Sequence, residues 1–191
     1  MLLAGSGVKT CTVVGFPNGT HKSTVKAIEA TSTVKDGAEE VDVVAHLPHL
    51  LALNFEAARD ELMEVVRGAR AVRPDVVIKV IIESAALVSI NKDKAEETIA
   101  LACRAVRESG CDFIKTSTGF HPAGGAQLHV VEWMKKYGEG IRVKASGGIR
   151  DFATAQKMLA AGSDRLGVSA SVAIVNEART GVNAATGGSG Y

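Results

Sequence analysis

Short β-branched runs alternate with longer amphipathic runs along this chain. The first short run, Val8-Lys9-Thr10-Cys11-Thr12-Val13-Val14, ends at Gly15-Phe16-Pro17-Asn18-Gly19 and reads as a strand stopped by a turn. The apolar spacing then predicts a helix over 23–35, a strand over 40–45 and a helix over 54–72, with Asn54 as its N-cap. Further strands are predicted over 76–82, 112–116, 141–145 and 165–168. Helices are predicted over 92–109, 126–137 and 152–161, with a last one beginning near Ser169. The Gly-, Ala- and Ser-rich stretch 180–191 reads as a mobile tail behind a single domain over 1–179.

Six β-then-α units in succession argue for an α/β protein with a parallel sheet covered by helices. Two architectures fit, an open doubly wound sheet and a (β/α) barrel. No G-x-G-x-x-G follows the first strand, which weakens the dinucleotide-binding form of the open sheet.

Strands buried on both faces should be continuously apolar, yet several here carry a charge. Asp42 lies in Val41-Asp42-Val43-Val44, Lys79 in Ile78-Lys79-Val80-Ile81, Lys115 follows Phe113-Ile114, Lys144 lies between Val143 and Ala145, and Glu83 closes the third strand. One reading is a structural ion network of Asp42, Lys79 and Glu83. A lone strand lysine near a loop is most simply solvated at the rim. Two lysines near the ends of consecutive strands, each followed by a small-residue loop, suggest a shared pocket instead. There, each ammonium disfavours the other's charge and partial burial acts in the same direction. The resulting free amine can attack a carbonyl and form a Schiff base, with Asp42 placed to move protons.

The loops after the charged strands are rich in small residues: Thr116-Ser117-Thr118-Gly119-Phe120, Ser146-Gly147-Gly148-Ile149 and Gly167-Val168-Ser169-Ala170-Ser171. Backbone amides exposed by glycine and at helix N-termini favour an anion such as phosphate.

Composition removes other classes. The 191 residues carry 22 Lys+Arg against 21 Asp+Glu, and 4% are aromatic, which offers no basic footprint or stacking platform for nucleic acid. No apolar run has the roughly 18 residues a membrane span needs, and the opening shows no signal-peptide pattern. Three widely spaced cysteines, Cys11, Cys103 and Cys111, suit reduced thiols in the cytoplasm. His46 and His49 lack a third metal ligand nearby in sequence, His121 adjoins the candidate phosphate loop, and no G-x-S-x-G elbow is present.

Phe113-Ile114-Lys115-Thr116-Ser117-Thr118-Gly119-Phe120 resembles the Schiff-base motif of the deoxyribose-phosphate aldolases, and Val143-Lys144-Ala145-Ser146-Gly147-Gly148-Ile149-Arg150 resembles their second-lysine motif. Glu40-Val41-Asp42-Val43-Val44 looks like the strand of their catalytic aspartate, and the match runs in family order through nearly the whole chain. The resemblance implies a TIM (β/α)8-type barrel and reversible cleavage of 2-deoxy-D-ribose 5-phosphate to D-glyceraldehyde 3-phosphate and acetaldehyde, without metal or organic cofactor. It implies the imine on Lys115, pKa tuning by Lys144 and proton relay by Asp42. It also implies phosphate or substrate contacts by Thr118, Gly119, Gly147, Gly148, Gly167 and Ser169, with Lys79 added to that set. Tyr191 would assist proton transfer, as a tail tyrosine does in some members, and self-association would follow the family's habit of forming homo-oligomers.

Only about six of eight units are recognisable, because the opening resembles the stretch before the family's third strand. The expectation is an incomplete barrel with impaired activity on its own. The alternatives are another phosphosugar aldolase or isomerase, in which Lys115 does no covalent work, and a non-catalytic barrel fragment.

Overall fold

In a computed structural model, residues 3–181 are described. The elements are β1 (Cys11–Val14), α1 (Ser23–Lys35), β2 (Glu40–Val44), α2 (Leu47–Leu51), α3 (Phe55–Val72), β3 (Val77–Ile81), α4 (Ser84–Ile90), α5 (Ala95–Glu108), β4 (Phe113–Lys115), α6 (Leu128–Gly138), β5 (Arg142–Ser146), α7 (Phe152–Ala160), β6 (Arg165–Gly167) and α8 (Ser171–Thr180). All strand pairs are parallel and the sheet order is the chain order, β1 to β6.

That order selects the barrel-type architecture. Right-handed crossovers that always step to the next strand place every helix on one face, whereas a doubly wound sheet reverses direction and covers both. The two faces are correspondingly different. Val41, Val43, Ile78, Val80, Ile114, Val143 and Ala145 point into the helix layer and are 0% exposed. The alternate residues Glu40, Asp42, Lys79, Phe113, Lys115 and Lys144 line the other side, because successive side chains on a strand point to opposite faces. The sheet curls around this lining, so that Arg165 on β6 reaches Glu40 on β2, with Nη1 2.6 Å from Oε2.

The helices bury the stripes their spacing sets. In α3 these are Ala58, Glu61, Leu62, Val65 and Ala69, one face of an 18-residue helix whose N-cap Asn54 accepts from the Ala57 amide. A recurring device fixes the strand starts. Asp112, just before β4, accepts from the Ile78 amide on β3, and Asp164, just before β6, accepts from the Val143 amide on β5, each at 2.8 Å.

Local differences from the sequence expectation have local causes. The 84–90 stretch forms its own helix, and a 3-10 turn over Lys92–Lys94 separates it from α5. α2 was too short to show periodicity. α6 begins at Leu128 and not at 126, because the Ala126 amide bonds to the carbonyls of Ser146 and Gly147 across the loops. α8 begins at Ser171, two residues after the expected start, and runs to Thr180. Tyr191 lies outside the described residues.

Candidate functional site

The lined face of the sheet converges on Asp42. Its Oδ1 accepts from Lys79 Nζ at 2.8 Å, and its Oδ2 accepts from both Lys115 Nζ at 2.7 Å and Lys144 Nζ at 2.8 Å. Lys115 and Lys144 are register partners on β4 and β5, so two ammonium groups on adjacent strands share one carboxylate oxygen. Below them, Glu40 pairs with Lys79 at 2.7 Å and with Arg165. Four cations therefore face two carboxylates, and the surplus charge lies toward the C-terminal ends of the strands.

Burial sets the electrostatics. It pushes the Asp42 carboxyl up, but Lys115, Lys144 and Lys79 together outweigh it and hold the group well below the usual carboxylate range. Burial lowers the Lys115 amine, Asp42 opposes that, and the Lys144 charge adds to the lowering, with a net result below an ordinary lysine. Lys79 is also buried, but Asp42 and Glu40 overcome the burial and raise it, so it stays a cation. The side chain of Lys79 is 0% exposed, against 10% for Lys115 and 13% for Lys144. The two amines nearest the opening are the ones on consecutive strands.

The loops close around these amines. Ser117 Oγ donates to the Ser146 carbonyl, and Ser146 Oγ donates to the Ser117 carbonyl at 2.6 Å. Gly125 and Gly147 press together so closely that a Cβ on Gly125 would overlap the Gly147 backbone. A Cβ on Gly167 would meet Ser146 Cβ at 2.8 Å and Lys144 Cε at 3.2 Å, so this glycine gives the Lys144 chain its path. Gly119, Gly148 and Ser169 are exposed at the same end of the sheet. Phe16, after β1, meets Phe120, after β4, edge to face at 5.4 Å between centroids.

Two expectations change. Lys79 is not open to a phosphate, because its Nζ is spent on Asp42 and Glu40 inside the lining. The structural network of Asp42, Lys79 and Glu83 is real only in its first two members: the Glu83 carboxylate accepts from the Thr118 amide at 2.7 Å instead. That bond also occupies the Thr118 amide, and the Thr118 hydroxyl accepts from the Phe120 amide at 3.1 Å. Glu40, Arg165 and Cys11 were not singled out as site residues. Glu40 lies two positions before Asp42 and Arg165 two before Gly167, so strand alternation alone could have found both. Cys11 Sγ lies 3.4 Å from Asp42 Oδ1, and burial raises its thiol.

A model of the DeoC/LacD family aldolases matches residues 4–177. The deoxyribose-phosphate aldolase of Carboxydothermus hydrogenoformans is 47% identical over 175 residues, which is 91% of this chain and 73% of that protein. A solved aldolase, QR15, superposes with a TM-score of 0.78 at 43% identity, covering 90% of this chain and 73% of the other. The tetrameric deoxyribose phosphate aldolase of Aeropyrum pernix superposes with a TM-score of 0.80 at 34% identity over 95% of this chain and 72% of its own. Six parallel units curled around an inward-facing set of lysines, matched over nearly their whole length by such proteins, place this chain in the DeoC/LacD family of aldolases.

Proposed function

We propose that the chain cleaves 2-deoxy-D-ribose 5-phosphate reversibly to D-glyceraldehyde 3-phosphate and acetaldehyde through an imine on Lys115. The observation that carries this reading is the pair of register-matched lysines, Lys115 and Lys144, both held on Asp42 Oδ2 beside the loops. It rests as well on relatives named for that activity.

The Lys115 amine, once deprotonated, adds to the C1 carbonyl of the open-chain sugar, and loss of water leaves a protonated imine. A base takes the proton of the C3 hydroxyl. The C2–C3 bond then breaks, its electron pair moves to C2 as an enamine, and C3 leaves as the aldehyde of glyceraldehyde 3-phosphate. Protonation at C2 and hydrolysis release acetaldehyde and restore the amine. Asp42 serves this cycle as the proton carrier, through water, and Lys144 keeps the resting amine of Lys115 from holding its proton too tightly. Thr118 Oγ1, Gly119, Gly147, Gly148, Gly167 and Ser169 form the phosphate end of the site, where the surplus positive charge favours a dianion. Tyr191 is assigned to proton transfer at C2 on the resemblance alone. The substrate is soluble, and no helix among the described residues is long and apolar enough to cross a membrane. Self-association in the cytoplasm is proposed by analogy with the tetrameric relative.

Acetaldehyde with sodium borohydride tests the reading. A two-carbon adduct that maps to Lys115 and is absent from Lys115→Met is the expected result. An adduct on another lysine, or none, would favour an isomerase or a non-catalytic protein.

A further inference from the structure

The junction between β3 and α4 carries an unexplained cost. Glu83 holds a left-handed backbone, φ 47° and ψ 56°, a conformation costly for a residue with a long side chain and readily taken by glycine. It is 1% exposed, and Oε2 is buried with no hydrogen-bond partner among the described residues. The next residue, Ser84, is also fully buried, and its hydroxyl has no partner there either. Packing alone would favour glycine followed by alanine at these two positions. Strain and unsatisfied polarity that persist together mark a place where the surroundings hold a geometry for another purpose.

The hydrogen bonds show what is held. The Ile82 amide donates to the Lys115 carbonyl at 3.1 Å, the Ser84 amide to the Thr116 carbonyl at 2.8 Å, and Glu83 Oε1 accepts from the Thr118 amide at 2.7 Å. The ladder between β3 and β4 is thereby carried past the end of both strands. The last rung is a side chain, and the left-handed turn at Glu83 allows that carboxylate to face β4. We infer that Glu83 is a positioning residue for Lys115: its carboxylate fixes the 116–119 loop and so sets the direction in which the amine meets the carbonyl. The inference rests on the Schiff-base reading of Lys115.

The test compares the rate of borohydride-trapped adduct formation at Lys115, per folded molecule, in the wild type and in Glu83→Gly and Glu83→Gln. Glycine relieves the backbone and removes the tether, and trapping should slow by about 10- to 100-fold, the scale of a misplaced reacting group. Glutamine keeps a carbonyl for the Thr118 amide and should trap within about threefold of wild type, since one hydrogen bond of the same geometry is retained. Should glycine leave the junction too soft to fold, Glu83→Asn tolerates the left-handed backbone, falls short of Thr118 and carries the same expectation. Wild-type trapping rates in the glycine or asparagine variant would overturn the inference, as would a glutamine variant as slow as glycine. If the wild type itself yields no adduct at Lys115, it is the Schiff-base reading that has failed.

Discussion

The protein buries lysines in two places, in opposite ways. Between α1 and α3, Lys26 is 0% exposed and meets one carboxylate, Glu61, which is itself buried. Lys26 Nζ also donates to the Val44 carbonyl at 2.7 Å, and Glu61 Oε2 accepts from the His46 amide. Charges there are matched one to one, and the pair pins two helices to the end of β2. Around Asp42 the match is broken: Lys79, Lys115 and Lys144 crowd one carboxylate, and the two nearest the opening share a single oxygen. A buried pair that only holds a fold together gains nothing from a surplus cation, because each buried charge must be compensated. A surplus next to an opening has a use. It lets one amine lose its proton without stranding the anion, and it leaves positive charge for an incoming phosphate.

The largest effect expected from breaking this contrast belongs to Asp42→Asn. Three lysines would lose their common anion, and stability should drop by about 3–5 kcal/mol, the scale for breaking a buried pair. Turnover should fall by about 10²- to 10⁴-fold, the range for losing a positioned acid–base group. The pH dependence gives an independent sign. The folded-state pKa of Asp42 is depressed, so its contribution to stability is full above the ordinary aspartate value of about 4 and is lost as pH falls below it. Urea melts from pH 7 to pH 3 should therefore show a shallower acid loss in Asp42→Asn than in the wild type. Equal acid limbs in the two proteins would show that Asp42 is not held by its lysines.

Lys26→Met comes next and separates the two clusters. Leaving Glu61 buried without its cation should cost about 3–5 kcal/mol, while turnover per folded molecule stays within about twofold. Adding Glu61→Leu should restore most of the loss. The residue would be about 1–2 kcal/mol, because the Val44 carbonyl and the His46 amide each lose a partner. A double variant no better than the single would mean that the pair contributes through packing and not through charge.

Much of this was legible in the sequence because strand alternation leaves polar residues no neutral place to stand. Asp42, Lys115 and Lys144 interrupt runs that should be oily, and that interruption suggests a shared pocket, which the register of β4 with β5 makes possible. The helix over 23–35 coincides with α1, and Asn54 caps α3 as expected. What stayed hidden depends on curvature and on side chains crossing the sheet. Arg165 and Glu40 sit four strands apart in sheet order and touch only because the sheet curls. From its strand position Lys79 reads as a member of an ion network, and it joins the substrate-binding set only through the resemblance; the depth of its side chain shows that Asp42 and Glu40 already use it. Glu83 looked like the end of an ion network. Its left-handed backbone, invisible to composition or periodicity, sends the carboxylate to the neighbouring loop.

The finest division between the clusters is a shift of pH and not a loss of activity. Among the groups that lower the Lys115 amine, burial acts first and Lys144 adds to it, while Asp42 opposes both. Replacing Lys144 with methionine removes the repelling charge and leaves Asp42 Oδ2 to Lys115 alone, so both changes raise the pKa of Lys115. The reactive amine would then be scarcer near neutral pH. The rising limb of kcat/KM against pH should move upward, the direction set by losing the repelling charge. The rate at pH 7 should fall about tenfold and recover largely at alkaline pH. Folding stability should hold or rise slightly, since one surplus cation has gone from a crowded site. Lys26→Met, profiled in parallel, should leave the limb where it is, because its charge is compensated locally. A Lys144→Met limb that does not move, with the rate lost equally at every pH, would mean that this lysine acts by contacting substrate, and the division between matched and surplus charge would then not account for the reactivity of Lys115.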